Sequence, residues 1–422
     1  MRFATIEATV EGPINGLEAF VAAQGLDLLN LRYRRARVVN PTGEDWVYPD
    51  FNQSFATHLG QLTKSLYLEP NLHVFADAGW GNAYGCVEAA AAKLVDAGCG
   101  DLLISAVRGS NLLPMLDQLY FEGQRFEHEA NGEGIDLEHH KLLAADLQIG
   151  AGPIEAAFAE GARVVIAGCC DPTASVIAKA ANQYDWQWDE LERIAGAAAA
   201  AELTHELSHR RSLTSQSVLP VVVGSVAHEG NFTVGIDARD GAGEIAELRT
   251  RPLLSTADVN AEWSDVEVSE VSPSLTNVSG VAGAASDGTW RLSLIHARFA
   301  TTMELVFRSR EVAADFLSSL PAEIPNRAQA PTTPVAGCYY EMLPQRSEKD
   351  ACSYLIRLLG DDQMQCESWL NLFAQKVAQV GPYVTWISAP PQVQAVCEAW
   401  PTRIPRDQID IAVDTRPAKE WF

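Results

Sequence analysis

An α/β fold is what this sequence predicts: a parallel-sheet core, a mixed β region packed on it and a small C-terminal α+β unit. Three observations carry that reading. Short apolar runs alternate with helical patterns up to about residue 200. Beyond Ser212 the chain turns to strands joined by Gly, Asp and Ser turns. A polar stretch bearing Pro321, Pro325, Pro331 and Pro334 then sets off a last compact segment. The expected units are 1–212, 213–320 and 335–422.

In the first unit, strands are predicted at Arg2–Val10, Leu26–Leu31, Leu72–Asp77, Leu102–Val107 and Arg163–Ala167. Helices are predicted at Gly16–Gln24, Phe55–Leu66, Ala83–Ala97, Ile154–Glu160, Ser175–Asn182 and Leu191–His209. Strands separated by helices require crossover connections, hence parallel pairing. The second unit offers strands at Leu219–Val226, Asn231–Asp237, Glu244–Arg251, Val266–Val271, Trp290–Ala297 and Met303–Phe307. In the third, Cys338–Leu343, Ser353–Leu359, Cys366–Gln379, Tyr383–Ile387, Pro391–Ala399 and Ile409–Asp414 give a mixture of strand and helix.

A net charge of −24 argues against nucleic acid or an anionic membrane as partner, since both would repel the chain. No apolar run reaches the roughly 18 residues of a spanning helix. The N-terminus alternates like a strand and shows no signal-peptide core, so a cytoplasmic location is expected. Eight cysteines without a CxxC pair point to reduced, mostly buried thiols. A homo-oligomer is expected, and no cofactor motif is present.

Chemistry is expected at two strand-to-helix corners. In LHVFADAGWGNAYGCVEAAAA (72–92) an apolar run meets Asp77, then Gly79, Gly81 and Asn82, then a helix start. Loop amides and the helix dipole can together hold an anion there, with Asp77 contacting substrate or moving a proton. The plainer account is a tight turn with an Asp that caps the helix. A dinucleotide site is disfavoured, because the spacing is G-x-G-x-x-x-G and no acid closes the next strand. The second corner is Gly168-Cys169-Cys170-Asp171-Pro172-Thr173. There Asp171 is a second candidate acid or base, Cys170 and Thr173 candidate contacts, and a helix start would lower the Cys170 pKa. Gly152, in the GAGP turn, would add an amide to the same cleft, and Arg108 at a strand end would clamp the anion.

Four blocks carry a resemblance: LDLLNLR (26–32), FADAGWGNAYGCVEAA (75–90), IGAGPIEAAFAEGARVVIAGCCDPTASVIA (149–178) and Trp186 to Ala201. In order and content they resemble the acyclic terpene utilisation (AtuA-like) family. The resemblance implies bacterial catabolism of branched acids handled as CoA thioesters, and so a small carboxylate or acyl-CoA as ligand. An enzyme, lyase or hydrolase, is the favoured reading. The sequence departs from the family pattern at Cys169, where an arginine is usual, and at THELSHRR, where a Gly-Gly pair is usual.

Two alternatives stand beside it. His205-Glu206-Leu207-Ser208-His209 is a literal H-E-x-x-H, which on a helix places two imidazoles on one face to bind zinc with the glutamate as base. Its plainer account is a solvated helix end whose cations complement the dipole. The other alternative is a non-catalytic subunit. His139 and His140, with Glu138, are read as a polar loop or helix start.

Overall fold

The computed structural model describes residues 1–8, 11–33, 50–137, 142–215, 219, 222–236, 254–263, 265–272, 274–319, 339–347, 352–386 and 391–422. Its first half runs β1 (Arg2–Glu7), α1 (Leu17–Gln24), β2 (Leu28–Arg32), α2 (Ser54–Leu68), β3 (His73–Ala76), α3 (Ala83–Asp96) and β4 (Leu103–Arg108). There follow α4 (Leu116–Phe121), β5 (Leu142–Gln148), α5 (Ala151–Ala159), β6 (Val164–Ala167), α6 (Ala174–Tyr184) and α7 (Leu191–Ser215). The elements expected from alternating apolar runs recur with ends shifted by a few residues.

β1, β2, β3, β6 and β4 lie side by side in that order, every pair parallel. Their residues alternate between two cores, as a pleated strand requires. Phe3, Leu28, Phe75, Val107 and Val165 pack on one face with Ile154 and Phe158 of α5, Ile177 of α6 and the alanine-rich start of α7. Ala4, Leu29, Val74, Ile104 and Val164 pack on the other with Leu17 of α1, Leu59 and Leu62 of α2, and Val87 and Leu94 of α3. Each such aliphatic side chain, fully buried, stabilises the fold by about 1.5–3 kcal/mol. The run of alanines Ala197–Ala201 lets α7 lie close to the sheet, and Gly196 meets the backbone of Gly230 so closely that a Cβ would sit 2.0 Å from its carbonyl oxygen.

The chain leaves β3 into α3 on one face and leaves β6 into α6 on the other. Adjacent parallel strands whose helices diverge in this way open a crevice at their carboxyl ends, the usual ligand position in open α/β sheets.

The second half supplies β7 (Val222–Val226), β8 (Phe232–Ile236), β9 (Leu254–Ser255), β10 (Val259–Glu262), β11 (Glu267–Ser272), β12 (Leu275–Ser279), β13 (Ala282–Ala285) and β14 (Thr289–Phe307). Then come α8 (Arg310–Ser318), β15 (Tyr339–Ser347), β16 (Cys352–Gly360), α9 (Gln363–Val380), β17 (Val384–Trp386), β18 (Gln394–Pro405) and β19 (Ala412–Pro417). β7, β8, β12 and β11 extend the core sheet antiparallel beyond β1, giving the mixed region that the turns predicted.

Three departures from the sequence reading matter for the site. β5 was not expected; it pairs antiparallel with β14, outside the parallel sheet. The strands expected at Trp290–Ala297 and Met303–Phe307 are one 19-residue strand. The polar residue in its middle, Arg298, is carried in the buried interior by Asp361 at 2.9 Å and Glu398 at 2.7 Å. Finally, β18 runs along β14, and β19 returns to the core sheet, antiparallel to β4. The strand expected at Glu244–Arg251, the proline-bearing stretch and the Glu138–His140 segment lie outside the described residues. Among the described residues no helix is long and apolar enough to cross a membrane.

Candidate functional site at the strand carboxyl ends

The ends of β3, β6 and β4 meet at Gly168. A Cβ there would fall 1.9 Å from Ser110 Oγ and 2.8 Å from the Trp80 carbonyl oxygen, so only glycine lets the three loops close together. Between them Trp80, buried, takes a φ of +24°, a region that few non-glycine residues occupy.

The glycine loop spends its amides internally. Gly79 N–H donates to the Ala167 carbonyl at 2.8 Å, and Gly81 and Asn82 N–H both donate to the Asp50 carbonyl. The Asn82 side chain accepts from Gly85 N–H at 2.9 Å and caps α3. The loop is thus a braced turn. What it does is shape a cavity of about 200 Å³, lined by Trp80, Gly81, Asn82, Tyr84, Arg108 and Asn111, among others. Arg108, exposed at the end of β4, lays its guanidinium over the Tyr84 ring, 4.4 Å from the centroid.

Apart from the residues that line that cavity, successive strand ends contribute a row of charges. Asp77, 7% exposed, accepts from Tyr33 N–H at 2.6 Å and faces Arg32 Nε at 3.5 Å. Arg32 in turn reaches Glu7 at 4.0 Å, and Glu7 reaches His205 Nδ1 of α7 at 3.6 Å. Burial pushes the Asp77 carboxyl up to about 6, against the opposing pull of Arg32 and the Tyr33 amide. Cys170 adjoins this row, coupled electrostatically to Asp77 and Arg32. Its thiol is not activated: burial, with Asp77 next, drives it well above the ordinary range, the reverse of the shift expected from a helix start.

Asp171 belongs to the adjoining loop, where both its oxygens are engaged. Oδ1 accepts from Thr173 N–H at 2.9 Å and Thr173 Oγ1–H at 2.7 Å, and Oδ2 accepts from Ala257 N–H at 2.9 Å. The GAGP amide is also taken: Ala151 N–H donates to Asp258 Oδ2 at 2.9 Å, while Gly152 lies in the first turn of α5 with open space at its Cα. Asp258, which the sequence reading did not single out, is pushed up to about 7 by burial and by the neighbouring Asp171.

The structure therefore gathers Gly81, Asn82 and Arg108 around one cavity, and neither Asp77 nor Cys170 is among the residues that line it. It places Asp171, bonded to Thr173, near Asp258, and Asp258 holds the amide of Ala151 next to Gly152. His205 and His209 share a helix face, their ring centroids 6.4 Å apart. Among the described residues no group of three or more His, Cys, Asp or Glu side chains is arranged to hold a metal ion. The residues that sequence reasoning missed, Glu7, Arg32 and Tyr84, had a signal available. The first two close their strands at the position where Asp77 closes its own.

Comparison with known proteins bears on the same stretch. Residues 30–205 match the family model described as acyclic terpene utilisation family protein AtuA, so the resemblance drawn from the sequence holds over that region. It spans Arg32, Asp77, Arg108, Cys170 and Asp171. No curated protein matches the chain. Among solved structures, the de novo designed protein Foldit4 aligns with 24% of this chain and 96% of its own at 7% identity. Its TM-score is 0.16, a likeness that carries no argument.

Proposed function

We propose that this chain, whose residues 30–205 are of the acyclic terpene utilisation type, acts in branched-acid catabolism in the cytoplasm on a small carboxylate or its CoA thioester. The crevice at the ends of β3, β6 and β4 is the site. Arg108 holds the anionic or carbonyl oxygens at the cavity, and Asp77 exchanges a proton with the substrate. One observation supports this above the rest: Asp77 is a buried carboxyl at a strand end, titrating at about 6 beside Arg32. A group so poised can both take and return a proton near neutral pH. The chemistry is then proton transfer next to a carbonyl, within a lyase or hydrolase cycle, with no cofactor required by these residues.

The test is consumption of branched acyl-CoA esters and their free acids, followed by chromatography, for the wild type and for the Asp77→Asn and Asp171→Asn variants. Asp77→Asn is expected to bind substrate and lose turnover by about 10²-fold or more. Asp171→Asn is expected to act through stability, given its saturated oxygens. Full turnover in Asp77→Asn sinks the assignment.

A second reading, a non-catalytic subunit, draws support from the glycine loop, whose amides at Gly79, Gly81 and Asn82 serve internal carbonyls. It forecasts co-purification with an enzyme partner and no response of the isolated chain to acids or thioesters.

A further inference from the structure

Tyr84, in the wall of the Arg108 cavity, is backed by the far end of the chain. Tyr84 O–H donates to Asp414 Oδ2 of β19 at 2.9 Å. Asp414 also accepts from Arg416 Nε at 2.8 Å and Nη2 at 2.5 Å. Arg416 lies over Trp421, 5.0 Å from the ring centroid, and Trp421 packs against Tyr84 at 5.6 Å. The pairing of Ala412 with Arg108 fixes β19 in register beside the cavity. At Gly109, φ +108°, the Asp410 carbonyl comes so near that a Cβ would sit 2.6 Å from it.

Two arginines thereby divide the work. Arg416 pairs with Asp414, so Asp414 holds the Tyr84 hydroxyl and feels Arg108 only through space, with no ion pair between them. Arg108 is left stacked on a ring fixed at its hydroxyl end, and among the described residues it forms no ion pair, in a chain of net charge −24. A guanidinium stacked on an aromatic face keeps its N–H edge for a planar, bidentate partner. The cavity, about 200 Å³, is below the roughly 300 Å³ at which drug-sized ligand pockets begin. It suits a carboxylate carrying a few carbons better than a nucleoside diphosphate.

We infer that Tyr84 and Asp414 are positioning residues that fix Arg108 to receive a free carboxylate, which makes the C-terminal strand β19 part of the binding site. This rests on the reading above in which Arg108 is the anion anchor. Asp414 lies more than 200 residues beyond the family match, so the device belongs to this chain's own C-terminal region.

The experiment measures binding of 3-methylbutanoate, with inorganic phosphate as comparison, to the full chain by calorimetry and thermal shift. The wild type is expected to prefer the carboxylate. Arg108→Ala and Arg108→Lys should both lose that preference, since an ammonium cannot make the bidentate contact. Tyr84→Phe and Asp414→Ala should each weaken carboxylate binding about fivefold, the loss of one hydrogen bond's contribution to positioning. The double variant should weaken it no further, because both substitutions cut the same bond. Unchanged phosphate binding and melting temperature without ligand separate positioning from a general structural loss. If Tyr84→Phe and Asp414→Ala bind like the wild type while Arg108→Ala does not, positioning by β19 is overturned and the anchor stands. If Arg108→Ala binds like the wild type, or the wild type binds neither probe, the anchor reading falls as well.

Discussion

The two ends of the parallel strands bury charge in opposite ways. At the amino end, Arg163 donates Nε–H to the Leu72 carbonyl at 2.7 Å and Nη2–H to the carbonyls of Leu66 and Glu69, closing the C-terminus of α2. Lys179, almost wholly buried, rests 5.6 Å from the Phe158 ring centroid, and His73 bonds the Asn71 carbonyl at 2.8 Å. Arg163, Lys179 and the neutral His73 ring there meet backbone carbonyls and aromatic rings. At the carboxyl end, side-chain ions meet one another, Glu7 to Arg32 to Asp77, and leave a carboxyl whose charge is finely balanced. Cations bonded to backbone build the fold; ions facing ions along adjacent strand ends remain free to change state.

Arg163→Met should have the largest effect. It strands three carbonyls at the end of α2 and should lower unfolding free energy by about 4 kcal/mol, read from urea midpoints, without changing ligand binding. A loss under 1 kcal/mol would mean that water replaces the guanidinium easily, and that the amino end is no more structural than the other.

A smaller effect is expected in the pH dependence of Asp77. Its folded value, about 6, lies above the ordinary 3.8, so the folded state holds this proton more tightly than the unfolded chain. Stability from this group is therefore complete below about pH 4 and is lost as pH rises through 6. The loss is about 3 kcal/mol at roughly 1.4 kcal/mol per unit. Asp258, pushed up to about 7, acts in the same direction. In Asp77→Asn the fall in stability between pH 4 and 7 should flatten relative to wild type.

His73 should do the reverse, through a shift of similar size that solvent damps because its ring is only partly buried. Burial first, then Lys179, lowers it from 6.5 to about 4. A histidine with a depressed folded pKa contributes stability that is present above 6.5 and is lost as pH falls through 4. His73→Gln should thus steepen the decline with rising pH that Asp77→Asn flattens. Slopes that shift in the same direction in both variants would overturn the contrast between the two ends.

Much of this frame was legible in the sequence, for a local reason. Strands β1 to β4 and β6 are short apolar runs between amphipathic helices, and Asp77 and Arg108 stand where such runs end. What stayed hidden was long-range. β5 pairs with a strand some 145 residues later, so nothing near Leu142 announces a parallel-sheet outsider. Arg298 read as a strand break because its counter-ions, Asp361 and Glu398, lie 63 and 100 residues away. Spent amides were equally invisible: glycine spacing marks a loop that can approach an anion, while the carbonyls of Asp50 and Ala167 that occupy it come from outside the motif. The Tyr84–Asp414 bond joins positions 330 residues apart.

The return of β19 to the edge of β4 also sets an order of events during synthesis. The parallel core is encoded early, yet one of its edges stays bare until residue 417 has emerged, and β5 waits for β14. Contacts of such sequence separation are slow to form, and an uncovered strand edge invites pairing with another chain. A nascent chain halted before β18 would hold a near-complete site face on an unsealed sheet, so aggregation during expression should rise steeply in truncations that remove only the last thirty residues.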